Sequence, residues 1–406
     1  MNAKNLFKAL NEHALSLINY HIGVLRLEPE DFSDIDHEIR QILMKDKVHM
    51  QPACRERLYL PRSELGRGLE SVEHKREQKH VQVKSTVVRH QHISTRRAAI
   101  LKVEMDNQTH LSKIEDYLRI KYSIGEDLSS KSLAEAQKET LYSEIRKKKL
   151  DEKLYRAKNN PLISLKDSST WLKDGNVKPR DEASFCNLQD RNMFLGAISK
   201  CQHCKNALKT VDHLASKCDR MLAHDYTRRH NEVVRCLHLL LCNNYGIKTQ
   251  KRIRSHSVQE IVANERAEIR VDARIKTDIK VQNNRPDLFV LDKRRKEILL
   301  IEVGITNADL LESVEVEKTR KYDLLANELS LIYKCKTRII PYVLTWDGVV
   351  TVHHKRYTKE LGLSNGIEAY VQSKVLKKTL ESLSFNQRRG HSDNEVEEAG
   401  LAFMTG

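Results

Sequence analysis

Aromatic side chains are scarce in this sequence: Phe, Trp and Tyr make up 5% of its 406 residues, and hydrophobic residues in total make up 39%. This is little apolar material for one large compact core, so it favours smaller, mostly helical modules joined by polar segments. No apolar run approaches the length of a membrane span. Residues 1–8 lack the apolar core of a secretory signal. The sequence therefore predicts an intracellular protein with no membrane partner.

Cysteine is also sparse, with 8 residues, and in a reducing compartment these are not expected to form disulfides. Three of them lie close to one histidine, as Cys201, Cys204, His213 and Cys218. Zinc prefers tetrahedral thiolate and imidazole ligands, and the two-residue gap lets the first two sulfurs bind one ion from a single turn. We predict a closed, structural zinc knuckle that depends on its metal for folding. Four unrelated residues, with the cysteines as small buried hydrophobes, are the alternative.

Basic residues outnumber acidic ones: 71 Lys and Arg against 56 Asp and Glu give a net charge of +15. A positive excess favours a polyanionic partner through phosphate contacts and counterion release. A solvated basic surface explains the same composition about equally well. The basic run at 146–149 has the same two interpretations, contact with phosphate or a solvated helix face, and the second is the more frequent for such runs.

Hydrophobic periodicity predicts a helical part followed by an α/β part. Apolar residues at helical spacing predict helices in the first 75 residues, in a charged region up to about 160, and over 224–245. From about residue 268 the pattern changes to strands at 269–275, 288–291, 298–303 and 339–344, with a helix at 312–332. The predicted fold class is therefore α+β with several domains. These are 1–75, 76–180, a knuckle region 181–250, an α/β domain 251–385 and a disordered tail 386–406.

Two carboxylates stand at the ends of predicted strands. Asp287 opens one strand and Glu302 follows the apolar run of the next, so a hairpin of these strands places the two acids side by side. Oxygen ligands of this kind suit a hard divalent cation such as Mg²⁺ or Mn²⁺, which can activate water and stabilise charge on a phosphate. A solitary carboxylate in an apolar run is costly and usually signals function. An ordinary edge-strand carboxylate is the alternative.

Two lysines are the basic candidates for this site. Lys318 and Lys321 share one stripe of the predicted helix with Val314 and Leu325, so both can face the sheet. A solvated helix face rich in Glu and Lys is the alternative, and we place Lys318 ahead of Lys321. Three other acids have weaker support as site residues. We interpret Asp292 as a turn residue, and Glu268 and Asp278 could supply further metal contacts.

The order of these motifs resembles the C-terminal half of non-LTR retrotransposon proteins. The resemblance covers most of the chain and rests on Cys-Cys-His-Cys, Arg-His-Asn at 229–231, Arg-Pro-Asp at 285–287, Glu302, and Glu-Lys-x-x-Lys-Tyr at 317–322. Near the N-terminus, residues 57–62 and 66–69 look like the thumb segment that follows a reverse-transcriptase palm. Such proteins carry a zinc knuckle followed by a restriction-like endonuclease of the PD-(D/E)XK superfamily.

The resemblance implies an endonuclease that nicks target DNA so that the free 3′ end primes reverse transcription. It implies that Asp287 and Glu302 bind Mg²⁺ or Mn²⁺ and that Lys318, with Lys321 as second candidate, is the catalytic lysine. The partners would be target DNA and element RNA, in the nucleus. We expect nucleic-acid contacts from Arg228, Arg229, His230 and Arg285. For the first three residues the alternatives are that they brace the knuckle or form an exposed helix face.

Two departures from the family pattern narrow this interpretation. Glu302 is followed by Val303 and Gly304, so the lysine of the simple (D/E)XK motif is absent, and the family's alternative is a lysine from the helix. No Tyr/Phe-x-Asp-Asp polymerase motif occurs, so we interpret the chain as the C-terminal part of a longer element protein that does not copy RNA by itself. The competing hypothesis is a catalytically decayed nucleic-acid-binding protein. A third is an interaction scaffold built on the helices of 76–160.

Overall fold

The computed structural model describes residues 1–21, 29–89, 110–125, 128–194, 199–248 and 255–389. It contains many helices and one five-stranded sheet, which confirms the predicted α+β class. Contacts divide the chain into two compact units, residues 1–155 with 177–183, and residues 156–176 with 184–406. The finer domain boundaries stay predictions, although helix Val72–Arg89 runs across the boundary expected at residue 75. No described helix is both long and apolar enough to cross a membrane.

The described residues of the first unit form helices and turns, as the helical spacing of their apolar residues predicts. A π-helical turn, Leu10–Ala14, joins the first two helices, and a 3-10 turn, Arg62–Glu64, follows the fourth. The α-helices are α1 (Ala3–Ala9), α2 (Leu15–His21), α3 (Pro29–Lys45), α4 (Glu56–Tyr59), α5 (Val72–Arg89), α6 (His110–Tyr122), α7 (Ser130–Arg146) and α8 (Glu152–Tyr155).

The glycine-containing segment after α4 is tightly packed. Leu58 and Leu69 belong to the core with Phe7 and Phe32. A side chain at Gly66 would meet the carbonyl oxygen of Leu60 at 2.0 Å, so only glycine is accommodated there. The segment is a loop, as its Pro and Gly content predicts, but it belongs to the core of the unit.

The basic run at 146–149 is largely neutralised within the protein. Three of its four side chains form ion pairs with glutamates, two of them on α7 itself. The pairs are Arg146–Glu139, Lys147–Glu144 and Lys148–Glu56. Its contacts are those of a charged helix surface, the more frequent explanation of such a run.

His49 is buried in the first unit and surrounded by arginines. Burial, followed by the charges of Arg67, Arg40 and Arg57, lowers its pKa from 6.5 to about 3. Because the folded pKa is the lower one, His49 contributes stability that is present above pH 6.5 and lost as the pH falls toward 3.

We expect His49→Gln to reduce the acid-induced loss of stability at about pH 4.5 by roughly 2–3 kcal/mol. Urea unfolding at about pH 7 and about pH 4.5 measures this, and equal losses in variant and wild type would contradict it.

The second unit combines helices with the sheet. Its helices include a long one that ends at Gly246, whose φ of +69° suits glycine. The elements are a 3-10 turn (Arg156–Asn159), α9 (Leu165–Ser168), α10 (Thr170–Lys173), α11 (Pro179–Gln189, which begins in the first unit), α12 (Val211–Ser216), α13 (Asp219–Tyr245), β1 (Ile261–Ala263), β2 (Ala267–Val271), β3 (Leu288–Asp292), β4 (Glu297–Thr306), a 3-10 turn (Ala308–Leu310), α14 (Leu311–Arg320), α15 (Asp323–Tyr333), β5 (Lys336–Thr345), α16 (His354–Glu360) and α17 (Asn365–Arg389).

The strands lie in sequence order across the sheet. Strands β1 to β4 pair antiparallel, and β4 pairs parallel with β5 after the crossover through α14 and α15. One face of the sheet packs on α15, with Phe289, Leu300, Leu325 and Leu329 in the core between them. The other face packs on α13. Strand β4 is therefore covered on both faces, as its unbroken apolar run predicts.

Several element boundaries differ from the sequence predictions. The strand expected at 269–275 ends at Val271, because Asp272 has a positive φ of +49° that strands do not contain. The helix expected at 312–332 is two helices, interrupted at Lys321 and Tyr322. Helix α17 continues through residues 386–389, the first four residues of the predicted tail, since no Gly or Pro interrupts this stretch and adding residues to a formed helix is cheap. Residues 390–406 lie outside the described part.

Candidate active site and metal-binding cluster

Strand register brings the two predicted carboxylates together. Leu288 pairs with Ile301, so Asp287 and Glu302 occupy the next opposed position. The Val303 N–H donates to Asp287 Oδ2 at 2.7 Å, and the Asp287 N–H lies 3.4 Å from Glu302 Oε2. From the sequence we expected Glu302 at the end of its strand. Strand β4 instead continues beyond Glu302 to Thr306. Glu302 is also not an edge-strand carboxylate, since β4 lies between β3 and β5.

Gly304 explains why no lysine follows Glu302 on the strand. A Cβ at Gly304 would lie 3.2 Å from the Val343 side chain and 3.3 Å from Val314. The close approach of α14 to β4 at this point leaves no room for a lysine side chain. Lys318 is four residues after Val314, so it lies one turn along the same helix face. The packing of Val314 on Gly304 therefore aims Lys318 at Glu302.

Both predicted lysines contact the same oxygen of Glu302. Lys318 Nζ and Lys321 Nζ each lie 2.7 Å from Glu302 Oε1. Glu302 is 2% exposed, and the two positive charges compensate its burial. Burial alone would lower the pKa of Lys318, but Glu302, with Tyr226 and Asp287 nearby, raises it above its ordinary value. Lys318 is therefore a cation at neutral pH.

His230 contacts the acid pair of Asp287 and Glu302, which was not predicted from the sequence. His230 Nε2 lies 3.1 Å from Asp287 Oδ2, and its ring stacks on Tyr226, one turn earlier on α13. Burial disfavours the charged forms of His230 and Asp287, but the attraction between the imidazolium and the carboxylate outweighs it. The pKa of His230 is therefore raised and that of Asp287 is lowered. The Arg-His-Asn motif drew attention to this residue. The approach of α13 to the start of β3, however, is a tertiary contact that no local pattern encodes.

The other residues predicted to contact nucleic acid have different surroundings. Arg229 is 2% exposed and donates to the Ala215 carbonyl at 2.6 Å, so its position matches the alternative of bracing the knuckle. Arg228 is half-buried and lies 3.3 Å from Glu381. Arg285 is exposed and pairs with Asp272, while its carbonyl accepts a hydrogen bond from Tyr322. Of these four residues, His230 is the one whose described side-chain contacts include Asp287 or Glu302.

The three other acids, Asp292, Glu268 and Asp278, lie at different places. Asp292 accepts the N–H groups of Arg294 and Arg295 at 3.0 and 2.8 Å, which is the turn role predicted for it. Glu268 pairs with Arg270 on its own strand, and Asp278 is exposed. The described contacts of Asp287 and Glu302 therefore involve basic residues, backbone groups and, for Glu302, the Tyr322 hydroxyl.

The Cys/His cluster is close enough to hold a metal ion. The ligand atoms of Cys201, Cys204, His213 and Cys218 all lie within 4.8 Å of one another, and it is the only such group of three or more that the described residues form. Cys201 and Cys218 are buried, with 3.8 Å between their sulfurs, and Cys204 Sγ is 3.3 Å from His213 Nε2. Three thiols and an imidazole are compatible with zinc.

Local backbone structure assembles this cluster. A short antiparallel bridge between Lys200 and Leu208 forms a hairpin that carries the first two cysteines. Thr210 caps α12 by accepting the His213 N–H, which fixes the histidine on the first turn. Cys218 is the N-cap residue of α13. The fourth ligand is thus continuous with the helix that carries Arg229 and His230.

Comparison with known proteins finds no family model and no curated relative that matches this chain.

Proposed function

We propose that the second unit is a divalent-metal-dependent DNA endonuclease. The observation that carries the proposal is the opposed pair Asp287 and Glu302, with Lys318 and Lys321 on one oxygen of Glu302. Two carboxylates can bind Mg²⁺ or Mn²⁺ for phosphodiester hydrolysis, and a lysine beside them can stabilise negative charge on the phosphate. In the retrotransposon proteins that the sequence resembles, this activity nicks target DNA for target-primed reverse transcription.

The carboxylate oxygens of Asp287 and Glu302 are suitable ligands for a hard cation. The charged contacts of Glu302 go to Oε1, and those of Asp287 go to Oδ2. One oxygen of each carboxylate, Glu302 Oε2 and Asp287 Oδ1, therefore has no cationic partner among the described residues. Mg²⁺ is usually held by one or two carboxylates, with water and substrate phosphates completing its shell. A two-carboxylate site is sufficient on this basis.

The protein's own groups have distinct roles in this proposal. Bound Mg²⁺ or Mn²⁺ would lower the pKa of water and stabilise negative charge on the scissile phosphate. Lys318 pairs with Glu302 and, because its helix face points to the acid pair, can also reach a phosphate oxygen. Lys321 is the second candidate for that contact. His230 holds Asp287 in place through its contact with Oδ2.

The remaining assignments follow from the same resemblance. Zinc would occupy the Cys201, Cys204, His213 and Cys218 cluster, and residues 1–75 would be a thumb-like remnant. Residues 251–385 would form the restriction-like endonuclease domain. Target DNA and element RNA would be the partners, in the nucleus. The net charge of +15 supports a polyanionic partner.

A plasmid-nicking assay with the full chain tests the proposal. We expect the wild type to convert supercoiled plasmid to open circles with Mg²⁺ or Mn²⁺ and to lose this activity with a chelator. Asp287→Ala should abolish nicking, because it removes one of the two carboxylates. Equal nicking by Asp287→Ala and the wild type would reject the assigned site.

A catalytically decayed nucleic-acid-binding protein is the second candidate. The observation that favours it is that both carboxylates already have basic partners, so the cluster is electrostatically satisfied by protein groups alone. Binding of DNA without nicking, unchanged in Glu302→Ala, would support this function. Its affinity should fall steeply with salt if phosphate contacts dominate.

A further inference from the structure

A pocket of about 530 Å³ lies in the second unit, at the hairpin end of β3 and β4. The end of α13, the β3–β4 turn and the end of α16 form its walls. Leu299 lines the pocket and is three residues from Glu302 on β4, so the two side chains point to opposite faces of the sheet. The pocket is therefore separate from the proposed nuclease site, on the other face and toward the other end of the strands.

Positive charge predominates at this pocket. Four cationic residues line it against two acidic ones: Arg266, Arg294, Arg295 and Lys359 against Asp292 and Glu360. Both acids are already engaged, Asp292 by the N–H groups of the turn and Glu360 by Arg338 at 3.1 Å. The described ion pairs around the pocket involve Arg295, Arg338 and Arg356. Arg266, Arg294 and Lys359 have no acidic partner among the described residues, so they are available to an anionic ligand.

The rest of the lining is apolar and aromatic. Leu241, Leu299 and Leu361 are buried side chains that form part of the walls. Tyr245 lines the pocket beside them, and its hydroxyl is hydrogen-bonded to Asp292. That contact fixes the phenol and leaves the ring as a stacking surface. A planar apolar group and an anion attached to it would thus each find complementary side chains.

We propose that this pocket binds a nucleoside phosphate. The guanidinium groups of Arg266 and Arg294, with Lys359, would receive the phosphate, and the base would pack on Tyr245 and the leucines. The volume lies within the range of about 300–1,000 Å³ that is usual for small-molecule sites. A free nucleotide and the 5′-phosphorylated end of a nucleic-acid strand both offer this chemistry.

Calorimetric titration of the full chain with 5′-AMP, without divalent metal, tests the proposal. We expect 5′-AMP to bind about tenfold or more tightly than inorganic phosphate, because only the nucleotide uses the aromatic and apolar walls. Arg294→Gln should weaken 5′-AMP binding about tenfold, as expected for loss of a charged hydrogen bond. Lys359→Gln should weaken it as well. Competition by a 5′-phosphorylated dinucleotide would identify a strand end as the source, and failure to compete would identify a free nucleotide.

Lys293→Gln is the matched control, since it removes one exposed charge from the same turn at a residue that does not line the pocket. Lys293 Nζ donates to the Asn264 carbonyl at 2.8 Å. Its variant should bind 5′-AMP like the wild type. Undetectable binding of 5′-AMP, equal affinity for inorganic phosphate, or equal weakening by Lys293→Gln and Arg294→Gln would each overturn the proposal. The readout involves no cleavage, so it is independent of the proposed endonuclease activity.

Discussion

Glu302→Gln is expected to lower the rate of Mg²⁺-dependent plasmid nicking by about 10²-fold or more. The substitution keeps the size of the side chain but removes the negative charge that lies opposite Asp287. An amide oxygen is a much weaker ligand for a hard cation than a carboxylate. Lys318 and Lys321 would also lose the partner that holds both ammonium groups at 2.7 Å. Metal binding and placement of the lysines should therefore fail together, and the initial nicking rate measures both.

Glu297→Gln provides the control on the same strand. Glu297 is five residues from Glu302, its side chain points to the other face of the sheet, and it pairs with Arg338 at 2.6 Å. Its variant should nick at the wild-type rate. Thermal unfolding of both variants shows whether the loss of ion pairs affects folding rather than chemistry. If folded Glu302→Gln nicks as fast as Glu297→Gln, Glu302 has no catalytic role.

The acid pair and the two lysines could be predicted because their placement follows from local rules. Antiparallel pairing of two short strands fixes Asp287 opposite Glu302. Helical spacing puts Lys318 and Lys321 on one face, and this holds even though the helix ends at Arg320 and Lys321 is its C-cap residue. The zinc-compatible cluster is equally local, since its four ligands lie within one short segment.

Other parts of the site could not be predicted, because they depend on contacts between distant segments. His230 reaches Asp287 only because α13 packs across the start of β3. The pocket beside Tyr245, which is separate from this site, likewise combines α13, a turn and α16, which are far apart in sequence. Strand β1 is three residues long with two of them exposed, so it has too little apolar pattern to detect. The predicted end of this strand at residue 303 was also too early, because β4 continues to Thr306 through Gly304, a residue type that weakens a strand pattern.

Loss of metal from the Cys/His cluster is the second large effect that we expect. The knuckle is a short hairpin and one turn and a half of helix, so it has almost no core of its own. Structural zinc contributes an apparent free energy of about 10–16 kcal/mol to such modules. Cys204→Ser should therefore reduce bound zinc from about one ion per chain to nearly none. Elemental analysis of purified protein measures zinc, and limited proteolysis of the 199–218 segment reports its unfolding.

The effect should extend to the nuclease site through α13. Cys218 is the N-cap residue of this helix, and Arg229 donates from the helix to the Ala215 carbonyl of the knuckle. Unfolding of the knuckle would remove that acceptor and loosen the turn that carries His230. We therefore expect Cys204→Ser to reduce nicking as well as zinc content.

Cys335→Ser is the matched control, because Cys335 is half-buried like Cys204 but lies outside the cluster. It should retain zinc, resistance to protease and wild-type nicking. A wild-type protein without stoichiometric zinc would exclude the metal assignment. Loss of zinc from Cys204→Ser with unchanged nicking would show that the knuckle folds independently of the acid pair, and the coupling through Arg229 and His230 would then be wrong.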